Sequence, residues 1–382
     1  MSSRPRVVIA YKSLPRYRVP FYEGLRARLD EAGIDLGLVY GQASPREAHR
    51  SEDADIDWAI RRRNRILKLG RREAIWQPCL SDVRGADLVV VEQASRVLLN
   101  YVLLAKQVAG RSRVAFWGHG ANLQVQTARA ASEWLKRRVS RLPHWWFAYT
   151  EGSRRRVEAL GYPAERITVV QNAQDTEELA AAVARITDED RAAYRARHGL
   201  GDGPVGLFLG SLAREKRVDL LLDAADAIVA RQPDFCLLVA GEGEERRRVE
   251  AAARERPWIT TLGRVDDLPS RALALSVSSA LLVPGAVGLA AVDSFAAGVP
   301  LVTVAGDGHG PEIEYVDDRV NGVLVPESAG TGGYADGALE TMTIGPVRTR
   351  LLDGCRAARG VFTLDAMVTR FASGISTALA AG

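Results

Sequence analysis

The sequence predicts an α/β protein built as two Rossmann-like, doubly wound domains, and three observations carry that expectation. Short β-rich runs alternate with longer helical patterns along the chain. The runs are mostly apolar without alternation, as parallel strands covered by helices on both faces must be. There are also too many of them for one ordinary open sheet.

In the first half the runs are Val7–Tyr11, Leu36–Tyr40, Leu88–Glu92, Val114–Trp117, Trp145–Tyr149 and Ile167–Val170. In the second half they are Val205–Leu209, Phe235–Ala240, Ile259–Leu262, Ala280–Val283, Leu301–Val304 and Gly322–Val325. Amphipathic stretches such as Val218–Arg231 and Glu244–Glu255 lie between them. This pattern places one domain over residues 1–180, a second over 200–360 and a closing helix over 361–382 that packs back on the first domain. The join around 175–204 is polar and Ala-rich and ends in the turn-forming stretch Gly199–Pro204. Two such domains facing each other enclose a deep cleft. Ligands of open α/β sheets sit beyond the carboxyl ends of the strands, so the residues just after each run are the ones to read for function.

A length of 382 residues suits two domains, and 47% hydrophobic with 26% charged residues argues against disorder. The net charge is only +4, but basic residues cluster. The clusters are Arg61–Arg63 with Arg65, Lys68, Arg71 and Arg72; Lys136–Arg138 with Arg141; Arg154–Arg156; and Arg246–Arg248. They read first as solvated helix faces. The first two also suit an anionic membrane surface or an anionic acceptor, and Trp134, Trp145 and Trp146 beside the second would anchor there if they were not packed inside. No nucleic-acid-binding motif accompanies the positive charge. Cys79, Cys236 and Cys355 are too far apart for a disulfide framework or zinc spacing. With neither a signal-peptide pattern nor a membrane-length apolar run, the expected location is the cytoplasm, at most peripheral to the inner membrane face.

Three segments after second-half runs carry the chemistry. Gly210-Ser211-Leu212-Ala213-Arg214-Glu215-Lys216 offers close backbone approach at Gly210 and two cations for a phosphate. Gly241-Glu242-Gly243 suits a tight strand-to-helix turn, and Leu262-Gly263-Arg264-Val265 follows it. Pro284 to Pro300 is the most telling: a loop with Gly285 and Gly288, a helix from about Leu289, and Gly298-Val299-Pro300 to end it. The amides of Val287, Gly288 and Leu289 at that helix start form an anion site for a diphosphate. Asp293, a turn further in, can accept hydrogen bonds from ribose hydroxyls or simply favour the helix dipole.

In this order the segments resemble the nucleotide-sugar half of retaining GT-B glycosyltransferases of family 4 (glycosyltransferase group 1). Gly210, Leu212 and Lys216 match the family's G-R-L-x-x-x-K loop, Gly241 and Gly243 its G-x-G turn, Gly263 and Val265 its nucleobase segment, and Gly298 and Pro300 its G-x-P. Gln171-Asn172-Ala173-Gln174-Asp175 and Gly310-Pro311-Glu312 with Asn321-Gly322 match further family segments. The likeness is close over 167–326 and architectural before that. Two family side chains are missing: the first Glu of E-x7-E falls on Gly285 and the loop Arg on Ser211, while the second Glu is the shorter Asp293. Arg214 is the candidate to replace the Arg.

The resemblance implies a GT-B fold and transfer of a sugar from a nucleoside-diphosphate sugar, with retention and without metal. The departing diphosphate would be stabilised by Arg214, Lys216 and the helix start, and would itself draw the acceptor proton. It also implies a histidine near the sugar in the first domain. His119 in Trp117-Gly118-His119-Gly120 fits it; His309 in the glycine-flanked Gly308-His309-Gly310 of the second domain is a weaker site candidate. Arg16, Tyr17 and Arg18 after the first run, and Glu92-Gln93 after another, are candidate acceptor or phosphate contacts. The acceptor class implied is a glycan, glycolipid or cell-surface polysaccharide precursor, with a natural-product acceptor as the alternative. Rival readings are a sugar-nucleotide epimerase of the same fold and a noncatalytic nucleotide-sugar binder. An NAD-linked dehydrogenase is disfavoured because no G-x-G-x-x-G follows Val7–Tyr11.

Overall fold

The computed structural model describes residues 4–44, 54–69, 72–120 and 138–381. The chain folds as two compact units: residues 1–174 together with 364–382, and residues 175–363.

The first unit is built on strands β1 (Arg6–Tyr11), β2 (Asp35–Tyr40), β3 (Ile60–Arg61), β6 (Leu88–Glu92), β7 (Val114–Gly118), β8 (Trp145–Ala148) and β9 (Ile167–Val169), with β4 (Arg65–Leu69) and β5 (Arg72–Trp76) forming a separate antiparallel hairpin. The seven-stranded sheet is parallel, in the order β3-β2-β1-β6-β7-β8-β9. Its β-branched runs bury side chains on both faces. Val7, Ile9, Val90, Ala115 and Trp117 point to one apolar layer, and Val8, Val89, Val91, Val114 and Phe116 to the other. Helix α1 (Val19–Glu31) and the closing helix α12 (Leu364–Ala380) cover the first layer, while α2 (Leu98–Val108) and α3 (Glu151–Ala159) cover the second. Phe371 of α12 stacks on Phe147 with ring centres 4.2 Å apart and lies edge-on to Trp117 at 5.0 Å. Such aromatic pairing adds specificity beyond the buried area.

The second unit carries a parallel sheet of β10 (Val205–Leu209), β11 (Cys236–Ala240), β12 (Ile259–Gly263), β13 (Ala280–Leu282), β14 (Leu301–Val304) and β15 (Gly322–Val325), in the order β12-β11-β10-β13-β14-β15. Its helices are α4 (Thr176–Arg185), α5 (Asp188–His198), α6 (Val218–Val229), α7 (Arg246–Glu255), α8 (Leu268–Ser276), α9 (Ala290–Ala297), α10 (Gly330–Met342) and α11 (Pro346–Arg359). Thr187 and Asp190 form a reciprocal capping box at the start of α5, and Gly199 ends it with φ 63°.

Two expectations need correction. The segment 175–204 is no linker: it holds α4 and α5 and belongs wholly to the second unit, because Leu179 and Leu200 bury into that core. The basic run at 61–72 is not a helix face. It forms the edge strand β3 and the β4–β5 hairpin, where charges keep an exposed edge from pairing further. Arg71 and the side chain of Arg72 lie outside the described residues. Trp145 and Trp146 are packed inside as core residues of β8, in line with the packing reading and not with a membrane anchor, and donate to Thr168 Oγ1 at 2.9 Å and the Ser140 carbonyl at 3.0 Å. Trp134, Lys136 and Arg137 lie outside the described residues, as does His49.

Candidate nucleotide-sugar site

In the second unit the chain runs outward from β10 through β11 to β12, then crosses back to β13 and proceeds the other way. The crevice between β10 and β13 is therefore the switch point, where ligands of such sheets bind. The Gly210–Lys216 turn and the Gly285–Leu289 loop flank it.

These two segments are joined. The Ala286 amide donates to the Glu215 carbonyl at 2.7 Å, and Lys216 Nζ donates to the Ala286 carbonyl. Gly285 is buried, and a Cβ there would overlap the Glu215 carbonyl oxygen and lie 2.7 Å from Lys216 Cα. The family glutamate is thus excluded at this position by the short 3-10 turn Arg214–Lys216. Gly241 and Gly243 play the same part on the other flank, where a Cβ on either would overlap the backbone of Gly210 or Leu212. Leu212 closes that contact by donating to the Glu242 carbonyl at 2.8 Å. Gly263 adopts φ 67° at the end of β12, and Arg264 pairs with Asp266 at 3.6 Å. Ser211 is half-buried. Arg214 is exposed, and its guanidinium has no partner among the described residues, which leaves it available to an anion.

The amides at the start of α9 divide. Among the described residues those of Gly288 and Leu289 make no hydrogen bond. That of Val287 is spent: it donates to His309 Nδ1 at 3.1 Å, while His309 Nε2 bonds the Val304 carbonyl at 2.7 Å. Val287 is therefore not an anion donor, a correction to the sequence reading. His309 instead braces the loop, its pKa held below the ordinary value chiefly by burial, so that it serves as a neutral acceptor. Asp293 sits in the first turn of α9 and is only 6% exposed. Glu312 is buried nearby, its carboxylate 4.0 Å from where a Cβ of Gly288 would stand.

In the first unit the order of strands reverses between β1 and β6. Lys12, just after β1, and Glu92, at the end of β6, bridge that crevice with an ion pair of 2.8 Å. His119 follows β7 and stacks on Tyr149, which follows β8, with ring centres 5.4 Å apart. Among the described residues its buried Nδ1 has no hydrogen-bond partner. Burial lowers its pKa, with Glu92 opposing and Arg156 and Lys12 reinforcing, so the ring is neutral at pH 7 and offers a hydrogen bond rather than a charge. Lys12 and Tyr149 escaped the sequence reading, although both directly follow strands.

Of the Arg16–Arg18 turn, Arg16 is exposed and Tyr17 half-buried. Arg18 is not a ligand contact. It is 2% exposed, bonds Asn172 Oδ1 and the Ala173 carbonyl, and stacks between aromatic rings, with Tyr17 and Trp117 each centred 5.1 Å away. A short loop cation and a buried structural cation look alike in sequence.

Residues 203–343 match the family model described as Glycosyl transferases group 1. The alpha-D-kanosaminyltransferase of Streptomyces kanamyceticus is 26% identical over 295 residues, covering 70% of this chain and 68% of that protein. A GDP-mannose-dependent alpha-(1-6)-phosphatidylinositol dimannoside mannosyltransferase of Mycobacterium tuberculosis is 38% identical over 96 residues, about a quarter of either chain. The crystal structure of Anabaena HepE in complex with UDP superposes with a TM-score of 0.69 over 97% of this chain and 99% of that one, at 16% identity. The fold is GT-B and the chain is a glycosyltransferase; the segment that matches the group 1 model lies within its second unit.

Proposed function

We propose that this glycosyltransferase takes its sugar from a nucleoside-diphosphate sugar held at the β10/β13 switch point, and transfers it with retention and without a metal to an acceptor of the glycan or glycolipid class. One observation carries the donor assignment. An exposed guanidinium (Arg214), a lysine (Lys216) and the unpartnered amides of Gly288 and Leu289 all belong to two hydrogen-bonded loops flanking that crevice. Together they supply the charge and the N–H donors that a departing diphosphate needs. Gly263, Arg264 and Val265 border the nucleobase end, and Asp293 the ribose. Anabaena HepE, whose structure holds UDP, supports the same kind of donor.

On the acceptor side His119 hydrogen-bonds the sugar as a neutral ring, with Glu92 and the Arg16–Tyr17 turn at the acceptor. The leaving phosphate takes the acceptor proton, so no side chain serves as an obligate base. The relative described as a kanosaminyltransferase favours a second reading, in which the acceptor is an aminocyclitol-like natural product. Protein that works at the cytoplasmic face of a membrane fits the first reading, and free cytosolic protein fits the second.

Thermal-shift screening against UDP, GDP, ADP and dTDP tests the donor assignment. Selective stabilisation by one diphosphate is expected, and no response to any of them contradicts it. Release of that diphosphate in the presence of lipid-linked or aminocyclitol acceptors then separates the two acceptor readings.

A further inference from the structure

A cavity of about 490 Å³ opens at the other edge of the first sheet, where the chain enters its strands. Asp87 precedes β6, Arg111 and Arg113 precede β7, Arg141 and His144 precede β8, and Arg166 precedes β9. Four guanidinium groups from three separate segments therefore share the lining with one carboxylate. That carboxylate is already engaged, accepting the Arg6 amide at 2.7 Å. Arg113 is anchored on carbonyls at the end of α12, those of Leu379 at 3.0 Å and Ala381 at 3.3 Å. Arg141 only leans on the Gly161 carbonyl at 3.4 Å. Among the described residues the guanidinium groups of Arg111 and Arg166 make no hydrogen bond and no ion pair.

Elsewhere the chain pairs such groups closely: Arg62 with Asp82 at 2.6 Å, Arg256 with Asp226 at 2.8 Å, Arg319 with Glu340 at 2.6 Å. Like charges gathered in a concavity repel one another, and the low-dielectric walls strengthen both that repulsion and the attraction for an anion. Planar guanidinium forks match phosphate oxygens in pairs. The volume is that of a small-molecule site, not of a single ion.

We propose that this cavity binds a phosphate-bearing anion, either a free phosphorylated compound or the headgroup of an anionic lipid. The site is lined by residues at the amino ends of the first unit's strands, none of which belongs to the donor machinery, so it does not depend on the proposed function.

Equilibrium dialysis with pyrophosphate at constant ionic strength tests it, using full-length Lys216→Ala protein so that donor-site uptake is suppressed. That protein should bind one pyrophosphate per chain. Adding Arg111→Ala and Arg166→Ala should weaken uptake by about tenfold or more, since charged hydrogen bonds are lost, while the melting temperature stays unchanged because neither side chain packs in the core. Co-sedimentation of otherwise unaltered protein with phosphatidylglycerol or phosphatidylcholine vesicles separates the sources. Preferential retention on phosphatidylglycerol that the two arginine substitutions abolish identifies a lipid headgroup; equal recovery from both vesicles identifies a free phosphorylated compound. Absence of pyrophosphate uptake, or uptake that the arginine substitutions leave unchanged, overturns the proposal.

Discussion

Gly285 and Glu215 meet backbone to backbone: the residue after Gly285 donates its amide to the Glu215 carbonyl, and a Cβ on Gly285 would overlap that same oxygen. The missing family glutamate is thus part of a rebuilt loop and not an isolated loss. Gly285→Glu should fail to restore a family-like site. It should lower stability by about 1–3 kcal/mol, as overpacking does, and abolish nucleotide-dependent stabilisation. Melting curves with and without the stabilising diphosphate check both effects. A stable Gly285→Glu protein with improved donor binding would show that the loop is free to reopen.

His309 holds the loop from the other side through the Val287 amide and the Val304 carbonyl. His309→Ala leaves a buried amide without an acceptor, a cost of about 1–3 kcal/mol. Donor affinity should fall with it, because the Gly288 and Leu289 amides lose their fixed direction. Chemical denaturation and diphosphate titration measure the two separately.

Arg18→Ala is expected to act through folding alone. It removes a side chain packed among Tyr17, Phe21 and Trp117 and leaves Asn172 without its donor. The loss should be on the order of 3 kcal/mol, comparable to large-to-small changes in a core. The folded fraction should keep its KM for both substrates, which steady-state kinetics corrected for active protein would report.

The pH dependence has a definite sign. Burial lowers the pKa of both His119 and His309 from the ordinary 6.5. As pH falls through 6.5 the unfolded chain takes up protons that the folded chain still refuses, so stability drops. Above 6.5 both states are neutral at these positions and the effect vanishes. Unfolding free energy measured from pH 8 to pH 5.5 should decline below 6.5, and His309→Phe should flatten part of that decline.

EDTA should leave transfer activity unchanged, since the diphosphate is assigned to Arg214, Lys216 and two amides. Among the described residues no group of three or more His, Cys, Asp or Glu side chains is placed to hold a metal ion. A loss of activity that added Mg²⁺ or Mn²⁺ restores would contradict the assignment.

The two parallel sheets were legible in sequence because their strands are doubly buried apolar runs, as at Leu88–Glu92 and Val205–Leu209. The β4–β5 hairpin was not, because Arg65, Lys68 and Glu73 break the apolar pattern of an exposed ribbon that packs only partly. Within the candidate site, the glycine positions that the backbone requires were legible: Gly241 and Gly243, where a Cβ would overlap backbone atoms, and Gly210, which adopts φ 145°. Side-chain fates were harder. Arg18 and Arg214 are each a loop arginine in sequence, and only packing buries one and frees the other. The diversion of the Val287 amide to His309 joins residues 22 apart in the chain through a loop that no local pattern specifies.

The central claim is most directly tested by titrating the stabilising nucleoside diphosphate into unaltered protein, Arg214→Ala and Lys216→Ala, with affinity read by calorimetry. Loss of a charge-assisted phosphate contact predicts affinity weaker by about tenfold or more in each variant, with the fold intact. Equal affinity in all three proteins would remove the donor from the β10/β13 crevice and contradict the account.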